Sequence, residues 1–295
     1  MDPALKNRLL SDIKATASTF SPQLRLAAKY VADNQADFGL DPIRETARKA
    51  GVSTFTLVRL ARLLGFDRFD DLREPFRHAL VSRTAATEDR EWLDHWRTTD
   101  ANGPYTAEAA ANSLAVVERS LQRQTPEKLH ATVQMLLSAR TVYLTAMRAS
   151  YGLAYHFHYV GRMALQSMEL VPRHMSTAID DLNDAGPEDV LMAITFTPYS
   201  LETIEAAAFA KSKGAKLIMV TDSEIMAPGL EADMTLLVSS ISTHHFACNS
   251  GAMAVLEILL ALIVDEGGAD VHARIADYEA LRRNHSAYWS APKKQ

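Results

Sequence analysis

Short amphipathic helices are predicted for the amino-terminal part of the chain. Apolar side chains recur at helical spacing in residues 21–34, 41–50 and 53–64. Glycine follows the second and third of these segments, at Gly51 and Gly65, and glycine often ends a helix. Only about three residues separate the second helix from the third, and two short helices joined in this way form a helix-turn-helix pattern.

The pattern changes after residue 140, where short apolar runs alternate with helical segments. The runs are apolar throughout, which is typical of strands buried on both faces of a parallel sheet. Strands that alternate with helices predict an α/β fold, here a five-stranded parallel sheet flanked by helices. The predicted strands are 141–146, 167–172, 189–196, 216–222 and 234–240, and the predicted helices are 149–164, 200–214 and 249–268.

A polar segment of mixed composition at residues 81–107 lies between the amino-terminal helical region and the α/β region, and it is interpreted as a connector. Helices are predicted at 107–122 and 126–138, and Thr125 followed by Pro126 is a good start signal for the second. The sequence therefore predicts an all-α helix-turn-helix head in 1–80, a helical connector in 81–125 and an α/β domain in 126–295.

Charge and cysteine content bear on partners and compartment. Residues 1–80 hold 13 lysines and arginines against 10 acidic residues, and the rest holds 18 against 26, so a head of +3 precedes a body of −8. This asymmetry favours nucleic acid as a partner of the head alone. The single cysteine, Cys248, and the absence of a secretory signal pattern favour the cytoplasm. The apolar run 252–264 is too short to span a bilayer.

The second helix of a helix-turn-helix enters the major groove and presents its amino-terminal side chains to the bases. Here that helix starts with Ser53, a good cap, and Arg59 and Arg62 share one face. Arginine pairs well with guanine and with phosphate. The predicted DNA-binding residues are Ser53, Thr54, Phe55, Thr56, Arg59 and Arg62. A plain three-helix bundle with solvated arginines has the same spacing, so spacing alone leaves both interpretations open.

A more specific pattern favours DNA binding. The chain contains V-S-x-x-T-x-x-R-L followed by L-G-F-x-x-F. On these motifs, residues 20–78 resemble the amino-terminal domain of the RpiR/MurR family of bacterial transcriptional regulators, which implies double-stranded operator DNA as a partner. The matching residues are Ala50, Gly51, Val52, Ser53, Thr56, Leu57, Arg59, Leu60, Leu64, Gly65, Phe66, Phe69, Asp71 and Leu72. The chain departs from the family at Phe55, where a small residue is usual, and at Thr46, where leucine is usual.

The body resembles the second domain of the same family, the sugar isomerase (SIS) fold, a five-stranded parallel sheet that usually binds phosphosugars. The resemblance rests mainly on residues 186–238 and implies a small-molecule effector, most often a phosphosugar. Two pocket motifs differ from the usual pattern. G-x-G-x-S after the first strand is replaced by AMRAS at 146–150, and S-x-S-G-x-T after the third strand is replaced by TFTPYS at 195–200.

Hydroxyls survive in both glycine-free loops, and they define the candidate pocket. The helix that begins near Ser200 offers backbone amides to an anion, and Arg148 adds a charge-assisted donor, whereas Pro198 removes one backbone donor. The predicted ligand-binding residues are Arg148, Ser150, Thr195, Thr197, Tyr199, Ser200, His244 and His245. The hydroxyls would serve equally well as helix caps, so a phosphosugar, another small anion and a structural role stay open.

We expect no cofactor and no metal. His244 and His245 are adjacent, and adjacent histidines rarely hold one metal together. Glu202 and Glu205 lie at the start of a helix, where carboxylates most often interact with the helix dipole. A sugar isomerase would use one of them as its proton-transfer base.

These observations favour a ligand-responsive transcriptional regulator without catalytic residues. We expect a homodimer, with a tetramer left open, whose paired heads read successive major grooves. The alternative is a sugar-phosphate isomerase with an accessory helical head, in which Glu202 or a histidine is the base. The head argues against it, because an isomerase has no use for a reading helix with Arg59 and Arg62. A non-specific architectural DNA binder fits poorly with the acidic body.

Overall fold

The computed structural model describes residues 5–81, 90–227, 229–285 and 287. The chain divides into two compact units, the first formed by residues 1–95 with 223–229 and the second by residues 96–222 with 230–295. This division differs from the predicted connector of 81–125, because the helix predicted at 107–122 lies entirely within the second unit. Residues 82–89 of the predicted connector lie outside the described residues.

The first unit is helical, as predicted. Its helices are α1 (Leu5–Thr16), α2 (Pro22–Asp33), α3 (Gln35–Leu40), α4 (Ile43–Ala50), α5 (Thr54–Leu63) and α6 (Phe69–Val81). The next helix, α7 (Glu91–Thr99), spans the boundary between the units. The helix predicted for 41–50 begins two residues late, since Pro42 stands at the position before its first turn.

Local chemistry fixes the turn between α4 and α5. Gly51 adopts φ 65°, a left-handed conformation that glycine tolerates at little cost, and the Val52 amide donates to the Ala47 carbonyl at 3.0 Å. Ser53 then caps α5, because its hydroxyl accepts the Thr56 amide at 3.2 Å. The predicted helix-turn-helix is therefore present, with Gly51 at the end of its first helix and Ser53 as the cap of its second, as predicted.

One apolar cluster holds the helices of the first unit together. Phe38 is fully buried and meets the rings of Phe69 and Phe76 edge-on, with centroids 5.4 and 5.0 Å apart. Leu57 and Leu60 of α5 lie in the same cluster, so one face of α5 is committed to the core. The opposite face is left to solvent.

The second unit is the predicted five-stranded parallel sheet with flanking helices. The strands are β1 (Val142–Ala146), β2 (Met168–Val171), β3 (Val190–Ile194), β4 (Lys216–Thr221) and β5 (Met234–Leu237). The helices are α8 (Gly103–Gln122), α9 (Pro126–Ser138), α10 (Tyr151–Gly161), α11 (Ala178–Asp181), α12 (Leu201–Ser212), α13 (Ser250–Glu266) and α14 (Gly268–Asn284). The strand order is β2–β1–β3–β4–β5, and every neighbouring pair is parallel.

The central strands are buried on both faces, which explains their continuous apolar sequences. All five residues of β1 and of β3 are buried. Alternate residues such as Leu144, Met192 and Val220 pack into a core with α10 and α13. The small residues Ala206 and Ala207 of α12 are buried as well. Burial on both sides requires helices on both sides, as predicted for a parallel sheet.

Helix α8 is part of this unit, not a free connector. Two contacts join α8 to the segment after β5: the Asn112 side chain donates to the Ile241 carbonyl, and the Ser239 amide donates to the Ser120 hydroxyl. Directly after α8, the side chains of Arg123 and Gln124 donate to the carbonyls of Val238 and Leu237. A side chain at Gly251 of α13 would collide with Ser120, since an added Cβ would lie 2.0 Å from its Oγ. The amphipathic pattern of α8 could not reveal this packing partner.

An ion pair between the buried carboxylate of Asp189 and the partly exposed guanidinium of Arg140 joins the starts of β1 and β3. The carboxylate of Asp189 is fully buried and accepts two hydrogen bonds from Arg140, at 3.0 and 2.5 Å, and one each from the amides of Thr141 and Gly186. Burial opposes ionisation of Asp189, but the bonds from Arg140 and Gly186 outweigh it, so the pKa of Asp189 lies below its ordinary value.

Replacing Asp189 by asparagine tests this pair. A depressed pKa stabilises the fold at every pH above the unfolded-state value of about 3.9, and the contribution is lost as pH falls through the folded-state value. We expect Asp189→Asn to lower the free energy of unfolding by about 2–3 kcal/mol at pH 7. The difference in unfolding free energy between the wild type and the variant should become smaller as the pH falls, as measured by urea unfolding from pH 7 to pH 3. Asp184→Asn, an exposed control, should track the wild type, and a gap that does not depend on pH would contradict the assignment.

Candidate functional site

The outer face of α5 presents the predicted DNA-binding residues to solvent. Thr56 is half-buried and the other five are exposed; they are Ser53, Thr54, Phe55, Arg59 and Arg62. Phe55 is 72% exposed, which is unusual for a large apolar side chain on a small domain. Within the described part of the chain, Arg59 and Arg62 have no ion-pair or hydrogen-bond partner, so both guanidinium groups are available to an external anion.

The other departure from the family pattern, Thr46, is accommodated inside the head. Its side chain is fully buried in α4, and its hydroxyl donates to the Pro42 carbonyl at 3.3 Å. A buried hydroxyl with such a partner costs little. Thr46 therefore affects the packing of α4, while Phe55 alters the exposed surface.

In the second unit, the candidate pocket lies at the carboxyl edge of the sheet, where ligands of open parallel sheets bind. Ala146 at the end of β1 pairs with Ile194 at the end of β3, and Ile194 pairs with Val220 of β4. The loops that follow these three strands therefore begin at the same level. This register brings together most of the hydroxyls and charges that the sequence indicated.

Arg148 takes the place of the second glycine of the usual first-strand motif and keeps a glycine-like backbone. Its φ is 56°, one of two positive values at non-glycine residues in the described part of the chain. A side chain in this conformation costs about 1–2 kcal/mol. Strain of this kind is found most often where a site needs a particular side chain, and here that side chain is 77% exposed at the pocket edge.

The loop after β3 is fixed by its own hydroxyls. Thr195 and Ser200 are both buried, and the Ser200 amide donates to the Thr195 hydroxyl at 3.2 Å. Ser200 caps α12, since its hydroxyl accepts the Thr203 amide at 3.3 Å. The capping role that the sequence left open is thus present, and it orders the loop around the start of the helix.

One cluster joins the loop after β1 to the loop after β3 and the start of α12. Its members are Arg148, Ser200 and Glu202. Arg148 Nη2 lies 3.6 Å from Glu202 Oε1, and the Ser200 hydroxyl donates to Glu202 Oε2 at 2.7 Å. The bond from Ser200, the amide of Glu202 itself and the charge of Arg148 together hold the pKa of Glu202 below its ordinary value. Glu202 is therefore an ionised carboxylate at the start of α12.

Asp222, which follows β4 directly, lies among the loops of the candidate pocket and was not one of the residues predicted from the sequence. Its carboxylate accepts the Thr197 amide at 3.1 Å, the Thr197 hydroxyl at 3.4 Å and the Ser240 hydroxyl at 3.3 Å. It therefore connects the loops after β3, β4 and β5. The rule that ligand contacts lie at strand ends would have found it, because it is the last residue of the strand predicted at 216–222.

The remaining predicted ligand residues have weaker links to this cluster. Ser150 occupies the position before α10, and Tyr199 is half-buried in the loop after β3. His244 and His245 are exposed, and their rings pack beside Phe246 at 6.2 and 5.3 Å between centroids. The role of both histidines in the pocket stays a prediction.

Among the described residues, no group of three or more histidine, cysteine, aspartate or glutamate side chains is arranged to hold a metal ion. No helix in these same stretches combines the length and the apolar character needed to cross a membrane.

Comparison with known proteins identifies the class. Residues 135–264 match the SIS domain family. The chain is 28% identical to the HTH-type transcriptional regulator YfhH of Escherichia coli over 60% of this chain and 62% of that protein. It is 23% identical to the HTH-type regulator TTE0211 of Caldanaerobacter subterraneus over 89% of this chain and 93% of that protein.

Solved structures agree on the fold. The sugar isomerase domain of the RpiR transcription factor from Sphaerobacter thermophilus superposes with a TM-score of 0.56 at 22% identity, covering 61% of this chain and 99% of that one. NanR of Vibrio vulnificus, solved with ManNAc-6P, gives 0.56 at 18% identity over 95% of this chain and 100% of that one. The protein is a helix-turn-helix protein with a SIS domain. The predicted resemblance to the RpiR/MurR family of transcriptional regulators is confirmed.

Two substitutions test the strain at Arg148. Both Arg148→Gly and Arg148→Ala remove the guanidinium group, but only glycine accepts φ 56° without steric cost. After allowing for the greater unfolded-state entropy of glycine, we expect the glycine variant to exceed the alanine variant by about 0.5–1 kcal/mol in unfolding free energy. Thermal unfolding of the two purified variants measures the difference. Equal stability, or a more stable alanine variant, would show that this backbone is not strained.

Proposed function

We propose that the protein is a transcriptional regulator whose affinity for operator DNA changes when a phosphosugar binds the SIS domain. One observation carries the DNA-binding part: the exposed face of α5 presents Arg59, Arg62 and Phe55 while its opposite face is buried in the head. This is the arrangement of a reading helix. The HTH-type regulators among its relatives support the proposal.

The pocket supports an anionic effector. Arg148, the Ser200 hydroxyl and the first amides of α12 converge at the carboxyl edge of the sheet, and such donors suit a phosphate. NanR, whose fold is similar, was solved with the phosphosugar ManNAc-6P. We assign the predicted residues Ser150, Thr197 and Tyr199, with His244 and His245, to the rim of the same pocket.

The functional division follows from these roles. Residues 1–80 read DNA, and residues 126–295, together with α8, bind the effector and dimerise. A homodimer places two reading helices on successive major grooves about 34 Å apart. The protein acts in the cytoplasm and has no catalytic activity. An effector changes DNA affinity only if it binds two domain arrangements with different affinity.

DNA binding is tested by mutation of α5. Duplexes bound by the wild-type protein are first selected from a randomised library, and their affinities are then measured by fluorescence anisotropy at fixed salt. We expect Arg59→Ala to weaken binding by about 1–3 kcal/mol, which is roughly 5- to 150-fold, because a base or phosphate contact is lost. Arg77→Ala on α6 removes the same charge from an ion pair with Glu74 and should bind nearly as well as the wild type.

The isomerase alternative makes a different prediction for the same variant. An aldose–ketose isomerase would turn over sugar phosphates and would be indifferent to Arg59→Ala. If the wild-type protein selects no duplex above background, or if Arg59→Ala and Arg77→Ala bind equally well, the reading role of α5 is wrong.

The effector class is tested by thermal shift against sugar phosphates, free sugars, amino sugars and inorganic phosphate. A ligand at about a hundred times its dissociation constant adds roughly 2.7 kcal/mol to the domain that binds it. We expect at least one sugar phosphate to raise the Tm of the SIS domain by about 5–10 °C and to change the anisotropy-measured affinity for the selected duplex. Stabilisation by unphosphorylated sugars alone would exclude phosphosugars as the effector class.

A further inference from the structure

The anion position in the proposed pocket already holds a negative charge that belongs to the chain itself. Three donors there converge on the carboxylate of Glu202: the Ser200 hydroxyl at 2.7 Å, the Arg148 guanidinium at 3.6 Å and the amide of Glu202. These are the groups that would bind the phosphate of an effector. The carboxylate of Glu202 therefore stands where that phosphate would bind.

A second carboxylate, that of Asp222, accepts a hydrogen bond from a neighbouring backbone donor. The Thr197 amide, which lies in the loop that replaces the usual S-x-S-G-x-T motif, donates to Asp222. A phosphate beside Thr197 would therefore approach a carboxylate that Ser240 also binds. Like charges this close repel each other strongly when partly removed from water.

The carboxylates of Asp222 and Glu202 differ in how easily an incoming anion can displace them from their hydrogen-bond donors. Asp222 is bonded to two separate loops through Thr197 and Ser240. Glu202 has a side chain that is 52% exposed, and its partner Arg148 is more exposed still. An exposed ion pair of this kind is weak, so the Glu202 side chain can rotate into solvent at little cost.

We propose that Glu202 is the residue that sets the pocket's selectivity between anionic and neutral effectors, by competing with the effector's phosphate for Arg148, Ser200 and the start of α12. This inference rests on the proposed function. A phosphorylated effector binds by displacing the Glu202 carboxylate, whereas an unphosphorylated sugar has no group that needs this position. Only a ligand that also binds strongly elsewhere in the pocket displaces Glu202. The competition therefore weakens the binding of small anions such as inorganic phosphate, which have no such further contacts.

The test compares Glu202→Gln with Glu205→Gln by isothermal titration calorimetry of the full chain. Glutamine keeps the size and the bond to Ser200 but not the charge, and Glu205 lies one turn further along the same helix with an exposed side chain. The probes are glucose 6-phosphate, glucosamine 6-phosphate and N-acetylmannosamine 6-phosphate, each beside its unphosphorylated sugar. We expect Glu202→Gln to bind the phosphorylated probes roughly fivefold more tightly than the wild type. Its affinity for the unphosphorylated sugars should be unchanged, and Glu205→Gln should match the wild type.

A role limited to capping α12 would lower the Tm of Glu202→Gln without changing the ratio of the two affinities. Arg148→Gln supplies a second readout: it should weaken binding of phosphorylated probes, and by more in the Glu202→Gln background, where the arginine no longer pairs with a carboxylate. If the wild type binds a phosphosugar and Glu202→Gln binds it no more tightly, the competition is wrong while the proposed function stands. If neither protein binds any phosphorylated probe, the phosphosugar effector is wrong and this inference falls with it.

Discussion

The parallel register of β1, β3 and β4 is the constraint on which the candidate pocket depends. Three loops that are distant in sequence begin at one level because Ala146, Ile194 and Val220 stand side by side in the sheet. Close packing against helices on both faces fixes the register, since a slip of one residue would exchange the side chains of the two faces and disrupt both packing layers. At the opposite edge, Arg140 and Asp189 hold the starts of β1 and β3 in the same alignment. The chemistry of the loops can vary as long as this frame is kept.

The glycine-free loops show how a site changes on a constant frame. Arg148 stands where the usual motif has glycine and adopts a left-handed backbone that glycine tolerates better, so a charged side chain at the edge of the candidate pocket comes at a conformational cost. In the loop after β3, the hydroxyls of Thr195 and Ser200 retain the order that a tighter glycine turn would supply. Two donors of this loop, the Ser200 hydroxyl and the Thr197 amide, already donate to the carboxylates of Glu202 and Asp222.

Sequence reasoning succeeded where local chemistry decides the structure. Gly51 and Ser53 mark the helix-turn-helix, and Thr125 caps α9 as predicted, because a cap involves residues only three or four apart. It failed where the answer depends on distant partners. The membership of α8 in the second unit rests on contacts with Ser239 and Ile241, more than a hundred residues away. Asp222 was missed although it stands at a strand end, because its contacts with Thr197 and Ser240 depend on how separate loops meet.

The hydrogen bonds of the second unit also limit where a regulatory change can begin. Thr197 is bonded to Asp222, Asp222 to Ser240, and the segment around Ser240 is bonded to α8. An effector that contacts Thr197 or the start of α12 therefore touches one end of a continuous chain of contacts, and α8 is at the other. Such a chain transmits nothing by itself, because a ligand shifts an equilibrium only by its difference in affinity for two arrangements. The groups at which such a difference must arise are those whose bonds the ligand replaces, and in the proposed competition these are the bonds made to Glu202.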